Sequence, residues 1–249
     1  MYKYIFFLSF IFVALSCENE IETINSDLGY EYFPLGVGYE WVYRVDSIQY
    51  FNGGNEVKYD TSYVKDEITE VLSENGDEIE YKLVRSYKPT LNASWRETDI
   101  WKIGRDKNRA YRVEENLRFI KLVFPFSEGT TWDGNSHFDS SQDFTVGADQ
   151  IDVYDAWEYE IFQEDLNLTI DETDYPNSIV VQHVDNESTI DKRYSVEMYS
   201  KDFGLIEKHM EILETQNENM PSAPEPLTLT LCSLGLLGMQ LGRKFKRAT

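Results

Sequence analysis

Four stretches of this chain alternate apolar and polar residues at a period of two: Trp41-Val-Tyr-Arg-Val, Ile79-Glu-Tyr-Lys-Leu, Trp157-Glu-Tyr-Glu-Ile and Tyr194-Ser-Val-Glu-Met. Extended backbone points successive side chains to opposite sides. Such a pattern therefore places one face on a core and the other in water, as antiparallel strands do. A fifth stretch, Ser178-Ile-Val-Val-Gln-His-Val, is almost continuously apolar and reads as a central strand. Turn chemistry separates the strands: Asn52-Gly-Gly-Asn, Asn75-Gly-Asp, Arg105-Asp-Lys-Asn and Asp202-Phe-Gly. No long stretch carries a helical period. The expected class is mostly β, with antiparallel sheets forming a curved sheet or half-barrel, or a sandwich.

Phe33-Pro-Leu-Gly-Val-Gly-Tyr-Glu-Trp41 matches Phe124-Pro-Phe-Ser-Glu-Gly-Thr-Thr-Trp132 as F-P-[LF]-x-x-G-x-x-W. Proline stops pairing, glycine permits a left-handed turn, and tryptophan opens the inward face of the next strand. Two similar β-units of about 90 residues are expected, at 32–118 and 119–215. The chain has only two cysteines, Cys17 and Cys232, both outside these units. Core burial rather than a disulfide must hold the body together. Its tyrosines, phenylalanines and five tryptophans supply that area.

The two ends have different chemistry. Residues 1–17 combine Lys3, an apolar run from Ile5 to Val13 and the small-residue site Ala14-Leu15-Ser16, the layout of an export signal. The run is shorter than the roughly 20 residues that span a bilayer. Ala14-Leu15-Ser16-Cys17 resembles a bacterial lipobox, which implies acylation of Cys17; ordinary signal-peptidase cleavage after Ser16 is the other outcome. Residues 18–31 form an acidic linker, beginning Glu18-Asn19-Glu20. A second linker, 216–226, ends in Pro224-Glu225-Pro226. It precedes an apolar run and the basic cluster Arg243, Lys244, Lys246 and Arg247, so that 227–249 reads as an anchor with a basic tail. This order resembles the PEP-CTERM sorting signal, which an exosortase recognises and processes. As a helix the run would be about 22 Å long, short of a ~30 Å hydrocarbon core. The basic end would stay cytoplasmic and the body outside. Two anchors in one chain are unusual, so the two resemblances pull against each other.

The phrases Phe33 to Trp41 and Tyr199-Ser-Lys-Asp-Phe-Gly-Leu-Ile-Glu-Lys208 also resemble a loose group of exported, Bacteroidetes-like β-rich lipoproteins. Some of that group look like curved half-barrels that carry acyl chains. The resemblance constrains fold more than function.

Charge excludes one class of partner. The body carries about −26, and Leu122 to Asp191 contains 17 acidic residues and no Lys or Arg. Nucleic acid needs clustered cations, so it is not expected as a partner. His137, His183 and His209 are far apart in sequence and read as surface or cross-strand histidines, not metal ligands. No nucleophile elbow, phosphate loop or body cysteine is present. Asp149, Asp152 and Asp155, and Asp171, Glu172 and Asp174, cluster oxygen donors without the spacing of a calcium loop. No catalytic residue, metal site or cofactor is assigned. The expectation is a non-enzymatic protein, anchored at the outer membrane or cell surface, with a binding or structural role. Its expected partners are the membrane, signal peptidase, possible exosortase processing, and a surface glycan or protein. The alternatives are an acyl-chain carrier and a carboxylate-dependent hydrolase.

Overall fold

The computed structural model describes residues 28–51, 56–146, 149–151, 153–155, 157–187, 191–214 and 230–234. Among these, strands dominate and no α-helix occurs; a 3-10 turn, Tyr30–Tyr32, precedes the first strand. The first sheet is a meander of β1 (Glu40–Phe51), β2 (Glu56–Asn75), β3 (Glu78–Lys88), β4 (Arg96–Arg105), β5 (Arg109–Glu114) and β6 (Leu117–Val123), each antiparallel to the next. After it come β7 (Thr131–Trp132) and a small hairpin of β8 (Phe144–Val146) and β9 (Asp149–Ile151). The second sheet contains β10 (Tyr159–Ile170), β11 (Thr173–Glu187), β12 (Asp191–Ser200) and β13 (Gly204–Glu214), with β7 at the outer edge beside β10. A short β14 (Thr230–Leu234) pairs with both β1 and β13, so hydrogen bonding runs continuously from β6 to β7. The strand system curls as a half-barrel of six- and five-stranded antiparallel sheets.

The strand alternation is seen in the burial. Trp41, Tyr43 and Val45 point inward from β1, Tyr81 and Leu83 from β3, and Tyr159 and Ile161 from β10. β11 lies between β10 and β12, and its segment from Ser178 to Val181 is buried on both faces, as a central strand requires. The turns use the expected residues. Gly76 and Asp77 join β2 to β3, with Gly76 at φ +61°, and the Asp106 carboxylate accepts from the amides of Asn108 and Arg109.

The repeated phrase is a repeated structure. In the first copy the Gly38 amide donates to the Ile68 carbonyl (2.8 Å), Ile68 returns a bond to Tyr39 (2.9 Å), and the Tyr39 amide donates to Gly36. In the second copy Gly129 donates to Ile161 (2.8 Å), Ile161 to Thr130 (2.9 Å), and Thr130 to Ser127. Gly38 and Gly129 occupy the same motif position and share a left-handed φ of +93° and +82°, which favours glycine. The expected division between 118 and 119 falls inside β6; the first meander runs to Val123 and the second copy of the motif starts at Phe124.

The motif tryptophans fasten the two sheets together. Trp41 Nε1 donates to the Phe203 carbonyl in the turn just before β13 (2.7 Å), and Trp132 Nε1 donates to the Ile120 carbonyl in β6 (2.9 Å). Trp41 thus satisfies an acceptor in the turn just before β13, and Trp132 one within β6. The Ile120 amide also donates to the Gly134 carbonyl, bringing the β6 edge to the segment after β7. Replacing either indole by phenylalanine keeps an aromatic ring but leaves a carbonyl without its donor. Trp41→Phe and Trp132→Phe should each lower unfolding free energy by about 1–3 kcal/mol in urea titrations, while the exposed Ile100→Thr stays within about 0.5 kcal/mol of wild type.

Candidate functional site

β12 departs from its sequence pattern. Tyr194-Ser-Val-Glu-Met is expected to turn its apolar residues to the core and Ser195 and Glu197 to water. Instead Ser195 and Glu197, 0% and 1% exposed, face the interior together with Tyr199. The opposite face is also covered, because Ile170, Tyr175 and Ile206 form a second buried cluster against Met198 and Phe203. With apolar cover outside, the inner face of this strand is free to be polar.

Glu197 is the hub of that face. Its Oε1 accepts from Lys121 Nζ on β6 at 2.8 Å and lies 3.3 Å from Lys208 Nζ on β13. Oε2 accepts from the Tyr199 hydroxyl at 2.6 Å and is 3.5 Å from His183 Nε2, an electrostatic contact without the alignment of a hydrogen bond. Three β-bulges surround this hub. The register between β5 and β6 steps from Ala110–Leu122 to Tyr111–Ile120, leaving Lys121 as the extra residue. Between β11 and β12 it steps from Gln182–Val196 to Val184–Ser195, leaving His183. Between β12 and β13 it steps from Met198–Glu207 to Tyr199–Leu205, leaving Ile206; this puts Lys208, the partner of Glu197, on the same face as Leu205. Bulges re-aim side chains where regular alternation would send them elsewhere.

A second ionic cluster lies in the first sheet. The Asp66 carboxylate accepts two bonds from Arg85, both 2.7 Å, and a third from Arg112 Nη2 at 2.9 Å. Arg112 Nε is 3.0 Å from Glu114 but not aligned to donate to it. Both guanidinium groups stand over the Trp101 ring, Arg85 at 4.1 Å and Arg112 at 5.4 Å. Arg112, Lys121 and Glu197 then line one shared pocket of about 30 Å³, close to the room that one or two waters occupy.

The two phrases singled out in the sequence meet at this pocket. Phe33, Pro34 and Trp41 come from the first, and Tyr199, Gly204 and Leu205 from the second. The Asp202 amide donates to the Glu31 carbonyl, and the Tyr43 hydroxyl donates to the Leu205 carbonyl. Gly204 is left-handed at φ +81°, and a Cβ there would lie 3.2 Å from the Pro34 ring and 3.3 Å from the Trp41 nitrogen. The close approach of the two loops explains the glycine.

Environment sets the protonation states. Burial acts to raise the Glu197 carboxyl, but Lys121 and Lys208 outweigh it and hold the group well below the ordinary range. Burial likewise opposes ionised Asp66, and Arg112 and Arg85 overcome it. For Lys121 burial wins over Glu197 and lowers the ammonium. Burial lowers His183 to about 4, with Glu197 only partly opposing. His183 is thus a neutral ring, stacked on Tyr159 and Trp157, with Nδ1 3.1 Å from Ser195 Oγ.

The residues assigned from sequence, Cys17, Pro224, Glu225, Pro226, Arg243, Lys244, Lys246 and Arg247, lie outside the described residues. Asp171 and Glu172 form the β10–β11 turn, both with positive φ, and Asp171 pairs with Arg44 of β1. His183 is the cross-strand histidine of the reading, deep in the interior rather than at the surface. The buried cluster was not assigned from sequence, although two signals were present. A histidine sits inside a stretch read as a central strand, and Lys121 interrupts the apolar run Phe119-Ile-Lys-Leu-Val. No family model and no curated protein matches the chain.

Protonating buried His183 costs stability. Its folded value lies below the unfolded one, so its contribution is complete above about pH 6.5 and is lost as pH falls toward 4. The stability advantage of wild type over His183→Gln should shrink by about 3 kcal/mol between pH 7 and pH 4 in urea titrations. At pH 7, Glu197→Gln should cost about 3–5 kcal/mol, because buried Lys121 loses its partner and half-buried Lys208 loses one of its own.

Proposed function

We propose that this protein is a non-enzymatic, extracytoplasmic surface protein whose β-rich body has a binding or structural role at the cell envelope. The observation that carries this reading is the state of the interior. The buried carboxylates Asp66 and Glu197 and the half-buried Glu114 are each paired with cations and held below the usual carboxylate range. Glycoside hydrolysis needs one carboxyl kept protonated as an acid, the opposite condition. The charged groups hold one another in place, and the shared pocket of about 30 Å³ is far below the ~300–1,000 Å³ of a small-molecule site. Recognition of a glycan or protein is therefore assigned to the exterior, which carries most of the acidic residues.

Attachment is assigned to the two ends: acylation at Cys17, and sorting or anchoring through Pro224-Glu225-Pro226 and the apolar run before Arg243, Lys244, Lys246 and Arg247. Signal peptidase and an exosortase are the implied processing partners. A tail threaded into a bilayer cannot at the same time supply β14 between β1 and β13. Anchoring thus implies an open slot between those strands. Transport of an acyl chain is the second reading, favoured by the half-barrel curl. It requires the interior to open well beyond its present pocket.

Growth with a palmitate analogue should label the wild type and not Cys17→Ala; an unlabelled wild type rejects acylation. Deleting 224–249 should release or mislocalise the protein, read by protease accessibility on intact cells. Unchanged surface display of the truncated chain counts against the sorting role.

A further inference from the structure

β2 extends past the reach of its neighbours. Its ladder with β1 covers residues 56–67, whereas its ladder with β3 begins only at Tyr63, opposite Lys88. Residues 56–62 therefore form, with β1, a two-stranded arm whose other side has no strand partner among the described residues. In an antiparallel strand every second amide and carbonyl points to that side, so the arm presents a row of hydrogen-bonding groups to a further strand. The side chains are uncovered as well. Val57 is 42% and Tyr59 74% exposed, and Lys58, Asp60 and Thr61 are exposed beside them.

Natural edges are guarded, and a lysine on the edge is a common guard. In this stretch the guard is cancelled by a second copy of itself. Laid antiparallel about Tyr59, two copies place Lys58 opposite Asp60 of the second copy, and Asp60 opposite its Lys58. Val57 then meets Thr61, and Tyr59 meets Tyr59. Directly opposed side chains lie about 4.5–5.5 Å apart at Cβ, where opposite charges and aromatic pairs both stabilise. A two-fold axis repeats every contact, so both charge pairs form together. Within their own chain neither Lys58 nor Asp60 has an ion-pair partner among the described residues. The length also fits. Position 56 opposes position 62, so pairing stops where β3 takes over in one copy and where β2 begins in the other.

The second free stretch of β2 lacks this property. The β1 ladder ends at Glu67, and Ile68 bonds to Tyr39, after which that side is open as far as the turn to β3. A two-fold axis at Leu72 would set Glu70 against Glu74 of the second copy, and like charges directly opposite each other resist pairing.

We infer that residues 56–62 of β2 are a self-pairing edge, through which two copies of this chain join their β1–β2 arms into one four-stranded antiparallel sheet about a two-fold axis at Tyr59. A single strand pair is a small contact, of the size found in transient complexes. The dimer is therefore reversible. This surface goes beyond the envelope role proposed above and does not rest on it, since it uses none of the terminal residues.

Sedimentation equilibrium of the full chain at about 0.15 M salt should show monomer and dimer exchanging with a Kd on the order of 10–100 μM. Lys58→Asp sets two aspartate pairs across the axis, and Asp60→Lys two lysine pairs. Each substitution should weaken dimerisation roughly tenfold or more. An equimolar mixture of the two variants recreates both opposite-charge pairs and should dimerise with near wild-type affinity, as should the chain carrying both substitutions. Recovery on mixing also shows that each single variant is folded. A wild type that stays monomeric to ~0.5 mM overturns the inference, well above the range in which such a contact assembles. A dimer that ignores both substitutions, or one that mixing does not restore, overturns it equally by placing the contact on another surface.

Discussion

The interior of this protein is organised by one buried carboxylate. Glu197 lies on a central strand of the second sheet and is 1% exposed. It is stable there only because Lys121 arrives from the opposite sheet and Lys208 from the neighbouring strand. Much of the surrounding architecture serves that requirement. Bulges at Lys121 and Ile206 set the faces of the two lysines, and a third delivers His183 to the other oxygen of the same carboxylate. Each bulge interrupts a ladder that would otherwise be regular, a local cost accepted only where a side chain must change face.

Much of the fold is legible in the sequence, because period-two alternation and turn residues act locally. Trp41 to Val45, Ile79 to Leu83 and Trp157 to Ile161 all bury the side their pattern indicates. The F-P-[LF]-x-x-G-x-x-W repeat is readable for the same reason: glycine at a left-handed position and a tryptophan donor impose one geometry twice. The site is different. In Tyr194 to Met198 the pattern is clear but its sense is inverted, since burial depends on what covers the far side of β12. That cover comes from the distal part of the β10–β11 hairpin, a long-range contact with no local trace. A one-residue bulge is equally silent in the residues that flank it, yet it reverses the facing of everything beyond.

Charge is sorted by depth. A chain of formal net charge −22 keeps paired charges at its centre, Arg112 with Asp66 and Lys121 with Glu197. The exterior acids repel one another and repel incoming anions, an effect that salt screens over about 8–10 Å. The central pairs are shielded from salt by burial, so stability should respond to ionic strength mainly through the surface.

The reciprocal tryptophans have a consequence for how the two sheets hold together. Trp41 satisfies the Phe203 carbonyl just before β13, and Trp132 satisfies the Ile120 carbonyl within β6. Each sheet offers an acceptor whose donor belongs to the other, so parting the sheets breaks both bonds and the contact acts as a paired latch.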